Sequence, residues 1–329
     1  MRVLLGLLLV LLIVPGWSGY DKLPLPKGGE LRAAPVALHP GDPRVRLAGR
    51  LRYLGGVALE SADPGFGGFS ALHVAGDRFL LLGDGGNLLA FRMGGDGQPR
   101  DARLFPLPAG PGTGWRKRDR DSESLAHDPA TGRWWVGFEN HDQIWRYAPG
   151  FARAERGRAP RKMRRWSEGG GAEAMTRLAD GRFVVISEQA RPRRAPGGKR
   201  PRARAGLIFA DDPTAPGARP VTFSYRPARG YDPVDMTELP DGRVLVLERG
   251  FDLPFSWLTR VAIVARGAIR PGAMVEGKEV VRLQAPLVAD NFEGVAVGRG
   301  GGRTLVWLLS DDNNTRLQRT LLLKFALEG

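Results

Sequence analysis

Apolar and polar positions alternate along this chain in short runs, and the same arrangement recurs. A small or acidic residue opens a brief apolar stretch, a tight turn with Asp, Gly or Pro follows, and a β-rich run ends on another acid. The copies are GFSALHVAGDRFLLLGD (residues 68–84), SESLAHDPATGRWWVGFE (122–139), AEAMTRLADGRFVVISE (172–188), VDMTELPDGRVLVLE (234–248) and FEGVAVGRGGGRTLVWLLSD (292–311). Their opening polar positions, Ser70, Glu123, Glu173, Asp235 and Glu293, are separated by 53, 50, 62 and 58 residues. Within a copy, Phe183, Val185 and Ser187 alternate with Val184, Ile186 and Glu188, which suits a pleated strand with two different faces. Asp180-Gly181 and Asp241-Gly242 are hairpin signals.

Further strands are predicted at 143–147, 207–210, 260–264 and 320–325, about four per repeat. Repeats of this length with four strands each predict an all-β fold, a β-propeller. Five blades are visible, and the spacing leaves room for a degenerate sixth. Closing the ring removes free sheet edges. Residues 50–58 read as a strand that joins the C-terminal blade. No long 3.6-residue periodicity follows the first 20 residues, which weighs against a βαβ architecture.

The N-terminus has a different pattern. Arg2 precedes an apolar run at residues 4–14, broken by Pro15, Gly16 and Ser18. Eleven residues are short for a membrane span, and the layout is that of a secretory signal. The expected organisation is a signal peptide or N-terminal anchor over 1–19, a linker over 20–49 and a propeller over 50–329, in a periplasmic or secreted monomer that could stay tethered by an uncleaved segment.

Composition narrows the chemistry. There is no cysteine, so disulfides, thiolate nucleophiles and cysteine metal sites are excluded. No G-x-S-x-G elbow, H-E-x-x-H pair or glycine cradle opening a helix occurs. The net charge of +14 comes from 42 Arg and 7 Lys against 35 acids. The run Arg191, Arg193, Arg194, Lys199, Arg200, Arg202, Arg204 lacks interleaved aromatic residues and reads as a solvated loop rather than a nucleic-acid surface. A small-molecule or anionic substrate fits the charge better.

In a propeller, equivalent positions on the innermost strands face one axial region. Ser70, Glu123, Glu173, Asp235 and Glu293 hold that phase, and four of them are carboxylates. Converging carboxylates raise one another's pKa unless a cation compensates. Ca²⁺, a hard cation taking oxygen ligands, would be held by Glu123, Glu173, Asp235 and Glu293. Arginine is the rival compensator. A second rival has the acids satisfying backbone N–H groups within their own blades. His141 and Asp142, at a hairpin end, are candidates for lying near a ligand.

The stretches DSESLA (121–126), GGAEAMTRLADGRFVVISE (170–188), NFEGVAV (291–297) and SDDNNTRLQRTLLLKF (310–325) resemble the phytase-like, esterase-like domain family. The resemblance implies a propeller and a hydrolase. Its motif residues here are Glu123, Glu173, Asp235, Glu293, Asp311, Asp312 and Asn313. By analogy with Ca²⁺-dependent propeller phytases, it implies catalytic roles for Glu123, Glu173 and Glu293, and phosphate binding by Arg177, Arg316 and Arg319. The chain lacks the dense Asp-rich stretch of a multi-calcium centre, so a single cation site is the expectation. A non-catalytic ligand-binding propeller of the cell envelope is the alternative.

Overall fold

The computed structural model describes residues 23–164, 166, 170–192, 202–252, 256–315 and 317–329. The expected signal segment and most of the arginine run lie outside them. The chain forms five mostly antiparallel sheets in sequence order, the blades of a β-propeller. Their innermost strands are Phe69–Ala75, Ser122–Asp128, Ala172–Arg177, Tyr231–Glu238 and Phe292–Gly300. These five contact one another in a closed circuit, the last against the first. Among the described residues there is no sixth blade, and the helical segments are 3₁₀ turns of three residues.

Closure is made by the N-terminal part of the fold. Leu51–Ser61 pairs antiparallel with Thr320–Leu327 as the fourth strand of blade 5, as the sequence led us to expect. The region read as a linker does more than connect. Leu31–Pro35 adds a further strand to Leu51–Ser61, and Leu47–Ala48 pairs with its start. The sheet therefore begins at Leu31 rather than near residue 50. Blade 3 gains a fifth strand in a different way: Met274–Glu276, from a blade 4 connection, pairs parallel with Val221–Arg226.

The Asp-Gly signals mark real hairpins. The Gly181 N–H donates to Leu178 O (2.9 Å) and the Leu178 N–H to Arg182 O (2.8 Å), while Gly181 has φ +92°. This is a type I turn completed by a left-handed glycine, the usual three-residue hairpin loop. Leu239 to Arg243 repeats it.

The apolar positions of each strand pack between blades. Five buried clusters exist, one per interface: Leu82 and Phe138 meet between blades 1 and 2, Trp135 and Phe183 between 2 and 3, and Val184 and Met236 between 3 and 4. Leu247 and Leu323 meet between blades 4 and 5, and Leu309 and Phe79 between 5 and 1. No described helix is long and apolar enough to cross a membrane.

Leu323 lies fully buried at the blade 4–5 interface, on the strand that receives the closing strand. Leu323→Ala should lower unfolding free energy by about 2–5 kcal/mol, read as a shifted denaturant midpoint with an unchanged slope.

Candidate functional site

Each innermost strand carries a one-residue bulge near its start. The pairing skips Ser70, Glu123, Glu173, Val234 and Glu293. A bulge breaks the two-residue alternation and re-aims a side chain, so these five positions are structurally equivalent at the mouth of the channel. A second equivalent set lies on or directly after each second strand, one residue past the partner of the residue that precedes the bulge: Asp84, Glu139, Glu188, Arg249 and Asp311. Seven of these ten positions are acids, and blade 4 supplies neither of its own: it has Val234 and Arg249.

The acids cluster tightly. One carboxylate oxygen from each of Asp121, Glu123 and Glu139 lies within 4.8 Å of the other two, and the same holds for Glu139, Glu173 and Glu188. Glu139 belongs to both groups. Burial pushes Glu123 and Glu173 well above the usual carboxylate range, with Asp121 and Glu293 adding to Glu123, and Glu123 and Glu188 to Glu173. Asp311 is raised in the same way. Glu139 is pushed up to about 7 and Asp84 to about 6, mainly by burial.

Two cations reach this cluster. The Arg249 guanidinium donates to Glu188 at 2.8 Å, to Asn291 Oδ1 at 3.0 Å and to Glu293. It lies 5.6 Å from the centre of the Trp257 ring, and Asn291 donates in turn to Glu293 at 2.7 Å. The arginine rival is therefore realised over Glu188 and Glu293. On the opposite flank Lys117 pairs with Asp84 at 2.6 Å. Burial opposes the charge on Lys117, but Asp84, Asp121 and Glu123 more than offset it and raise its pKa. In the group around Asp121, Glu123, Glu139 and Glu173 the acids outnumber the cations that reach them among the described residues. It is a set of hard oxygen donors whose chemistry fits a divalent cation.

A cavity of about 1230 Å³ opens beside the cluster and meets it at Asp84 and Lys117. Its walls include Asp312, Asn313, Gln318 and Arg319. The Gly68 N–H donates to Asp312 Oδ1 at 2.9 Å. Gly67 has φ +112°, and a Cβ there would stand 2.8 Å from Asp312 Oδ1, so glycine is required for this close approach.

Two sequence expectations change. Asp235 is not in the ring. It follows the bulge, and its carboxylate accepts N–H bonds from Met236 (2.8 Å) and, in the next blade, Val295 (2.7 Å). The reading in which acids satisfy backbone N–H groups holds for this residue. Arg177 ends its innermost strand four residues beyond Glu173, about 13 Å along the channel. There it faces Asp128 at 3.4 Å and lines a separate cavity with His73 and His127. Arg319 does border the large cavity, 3.7 Å from Asp290, whereas Arg316 lies outside the described residues. His141 stands at the cluster's edge, 3.8 Å from Asp119.

Missing from the sequence reading were Asp84, Glu139 and Glu188 as site residues, together with Lys117 and Arg249. The acid closing each repeat copy was the signal for the first three. For blade 4, the turns Leu-Ala-Asp-Gly-Arg (178–182) and Leu-Pro-Asp-Gly-Arg (239–243) are 61 residues apart, an offset that carries Glu173 onto Val234 and Glu188 onto Arg249.

A five-bladed propeller whose mouth gathers carboxylates from four blades is the class of protein these observations define. A family model described as phytase-like, esterase-like activity of phytase, matches residues 64–314, and the chain belongs to this phytase-like family. No curated protein matches it. Among solved structures it is similar to a chain of the nidogen/laminin complex, at 9% identity over 90% of this chain and 96% of that one, with a TM-score of 0.44. It is also similar to luciferin-regenerating enzyme, at 8% identity over 90% and 98% of the two chains, with a TM-score of 0.41.

A carboxyl whose pKa is raised in the folded state favours folding when protonated. For Glu139 this contribution is complete below its ordinary 4.5 and is lost as pH rises through about 7. In chelator, the melting temperature should fall as pH rises from about 5.5 to 8, and millimolar Ca²⁺ should flatten that slope. A pH-independent melting temperature in chelator would contradict the uncompensated cluster. Arg249→Met should cost roughly 3 kcal/mol near neutral pH, because it leaves Glu188 and Glu293 without their cation. Denaturant unfolding at neutral pH should show this loss as a lowered midpoint.

Proposed function

We propose that this protein is an exported, metal-assisted hydrolase of phosphate or other esters, acting at the acidic propeller mouth with Ca²⁺ as its cation. The observation that carries the reading is the carboxylate group around Glu139, drawn from blades 2 and 3, whose acids outnumber the cations that reach it among the described residues. Family membership supports a hydrolase, and the Arg2 and 4–14 pattern supports export.

Asp121, Glu123, Glu139 and Glu173 would hold the cation. When bound, it would supply positive charge that polarises an ester oxygen and makes water more acidic. The protein's own groups would do the rest. Lys117 stands between cluster and cavity and would attract the anionic group of a substrate. Arg319 would hold a second anionic group as a bidentate partner. Glu139, shared by both acidic groups, would be the ligand that links them. Arg249 would fix the Glu188 and Glu293 carboxylates so that they do not collapse onto the ion-holding group.

The test is a hydrolysis panel of phosphomonoesters, carboxyl esters and lactones, each with Ca²⁺ and with chelator. Turnover should require Ca²⁺. Glu123→Gln, Glu139→Gln and Glu173→Gln should each raise the Ca²⁺ concentration needed for half-maximal rate. Absence of turnover on every class, with Ca²⁺ still raising the melting temperature, would favour a non-catalytic ligand-binding propeller. Fractionation that finds the full-length chain in the cytosol would overturn export.

A further inference from the structure

The innermost strands start at the acidic mouth, so the loops that join second to third strands, and those that cross to the next blade, all lie on that face. Its centre is acidic and buried, but its rim has the opposite character. Trp115 is 71% exposed, Leu317 79% and Leu25 63%, on three separate loops, and Phe251 is exposed near the end of its blade 4 strand, against Trp257. The exposed charges between them are Arg116, Arg118, Arg161, Lys162, Arg164 and Arg319, among others. The exposed carboxylates on this face include Glu30, held by Arg32 at 2.7 Å, Glu60, and Asp252 next to Phe251 in sequence. Among the described residues of the rim the exposed basic side chains outnumber them.

We propose that the mouth face is a peripheral docking surface for an anionic lipid bilayer. Three features favour that partner. Isolated aromatic and aliphatic tips set among arginines match the interfacial layer, where Trp and Leu sit at the acyl boundary and cations meet lipid phosphates. The tips stand on different loops and form no groove for a peptide or helix. The chain also arrives on this face: the Leu23 N–H donates to Trp115 O at 3.0 Å, and the apolar run of residues 4–14 precedes it closely in sequence. A second copy is disfavoured, since two rims of the same sign repel.

Docking would involve three contributions: the tips entering the headgroup zone, the arginines neutralising lipid charge, and the buried acids kept from the surface by the rim. The experiment is co-flotation of the full-length chain with vesicles of phosphatidylcholine, alone or with about one third phosphatidylglycerol, a composition at which juxtamembrane basic residues bind measurably. The anionic vesicles should be bound at least ~10-fold more tightly, and the difference should fade as salt is raised. Trp115→Ser with Leu317→Ser should weaken that binding ~10-fold and leave retention on heparin unchanged. Arg116→Glu with Arg118→Glu should weaken both. Each variant is first checked for an unchanged melting temperature. Equal binding to neutral and anionic vesicles, or undiminished vesicle binding by the Trp115/Leu317 variant, would overturn the proposal. Loss of heparin retention by that same variant would also overturn it, pointing to a polyanion rather than a bilayer.

Discussion

Everything at the mouth depends on ring closure. Pairing of Leu51–Ser61 with Thr320–Leu327 fixes the circumference at five blades, and five blades bring the starts of the innermost strands to one axis. Glu123 and Glu173 adjoin across the blade 2–3 interface, and without the ring Glu293 of blade 5 would stand apart from them. The ring makes them neighbours and removes their water, so their pKa values rise with burial before any charge effect is added. Inter-blade apolar contacts, one cluster per interface, are what hold these repelling groups together.

Blade 4 is the exception that gives the mouth its electrostatic design. Val234 and Arg249 stand where the other blades offer acids at one or both positions. Arg249 spreads one charge over Glu188 and Glu293, and its guanidinium lies over Trp257. Across the mouth, none of Asp121, Glu123, Glu139 and Glu173 is directly ion-paired among the described residues. The ring is therefore polarised, with a protein cation on one side and an open set of oxygen donors on the other. Lys117 stands at the border with the large cavity.

Much of this was legible in the residues. Repeat spacing gave blades, the Asp-Gly turns marked hairpins, and residues 50–58 showed themselves as the closing strand. Leu31–Pro35 was harder, because its sequence LRAAP has little alternation and is a strand only through its partner Leu51–Ser61. The site was half legible. Glu123, Glu173 and Glu293 follow from repeat phase, but Asp235 misled by a single residue. A bulge places the residue before it at the axis, and a one-residue slip reverses the direction of a strand side chain. Lys117 could not be found by phase at all, since it sits in an inter-blade loop and reaches the cluster through tertiary structure.

The closing pair also says something about how the molecule is made. Arg52 and Glu328, bonded side chain to side chain, are 276 residues apart, nearly the whole length of the chain. Blades 1 to 4 can form as their hairpins are synthesised, but blade 5 cannot be completed until the last strand is available to meet one of the first. Such distant contacts are slow to form because the connecting loop must be ordered before they reward it. Until then Glu293 and Asp311 of blade 5 are not yet set against the acids of blades 1 to 3. The mouth is complete only at the final step of folding, when the two ends of the ring meet.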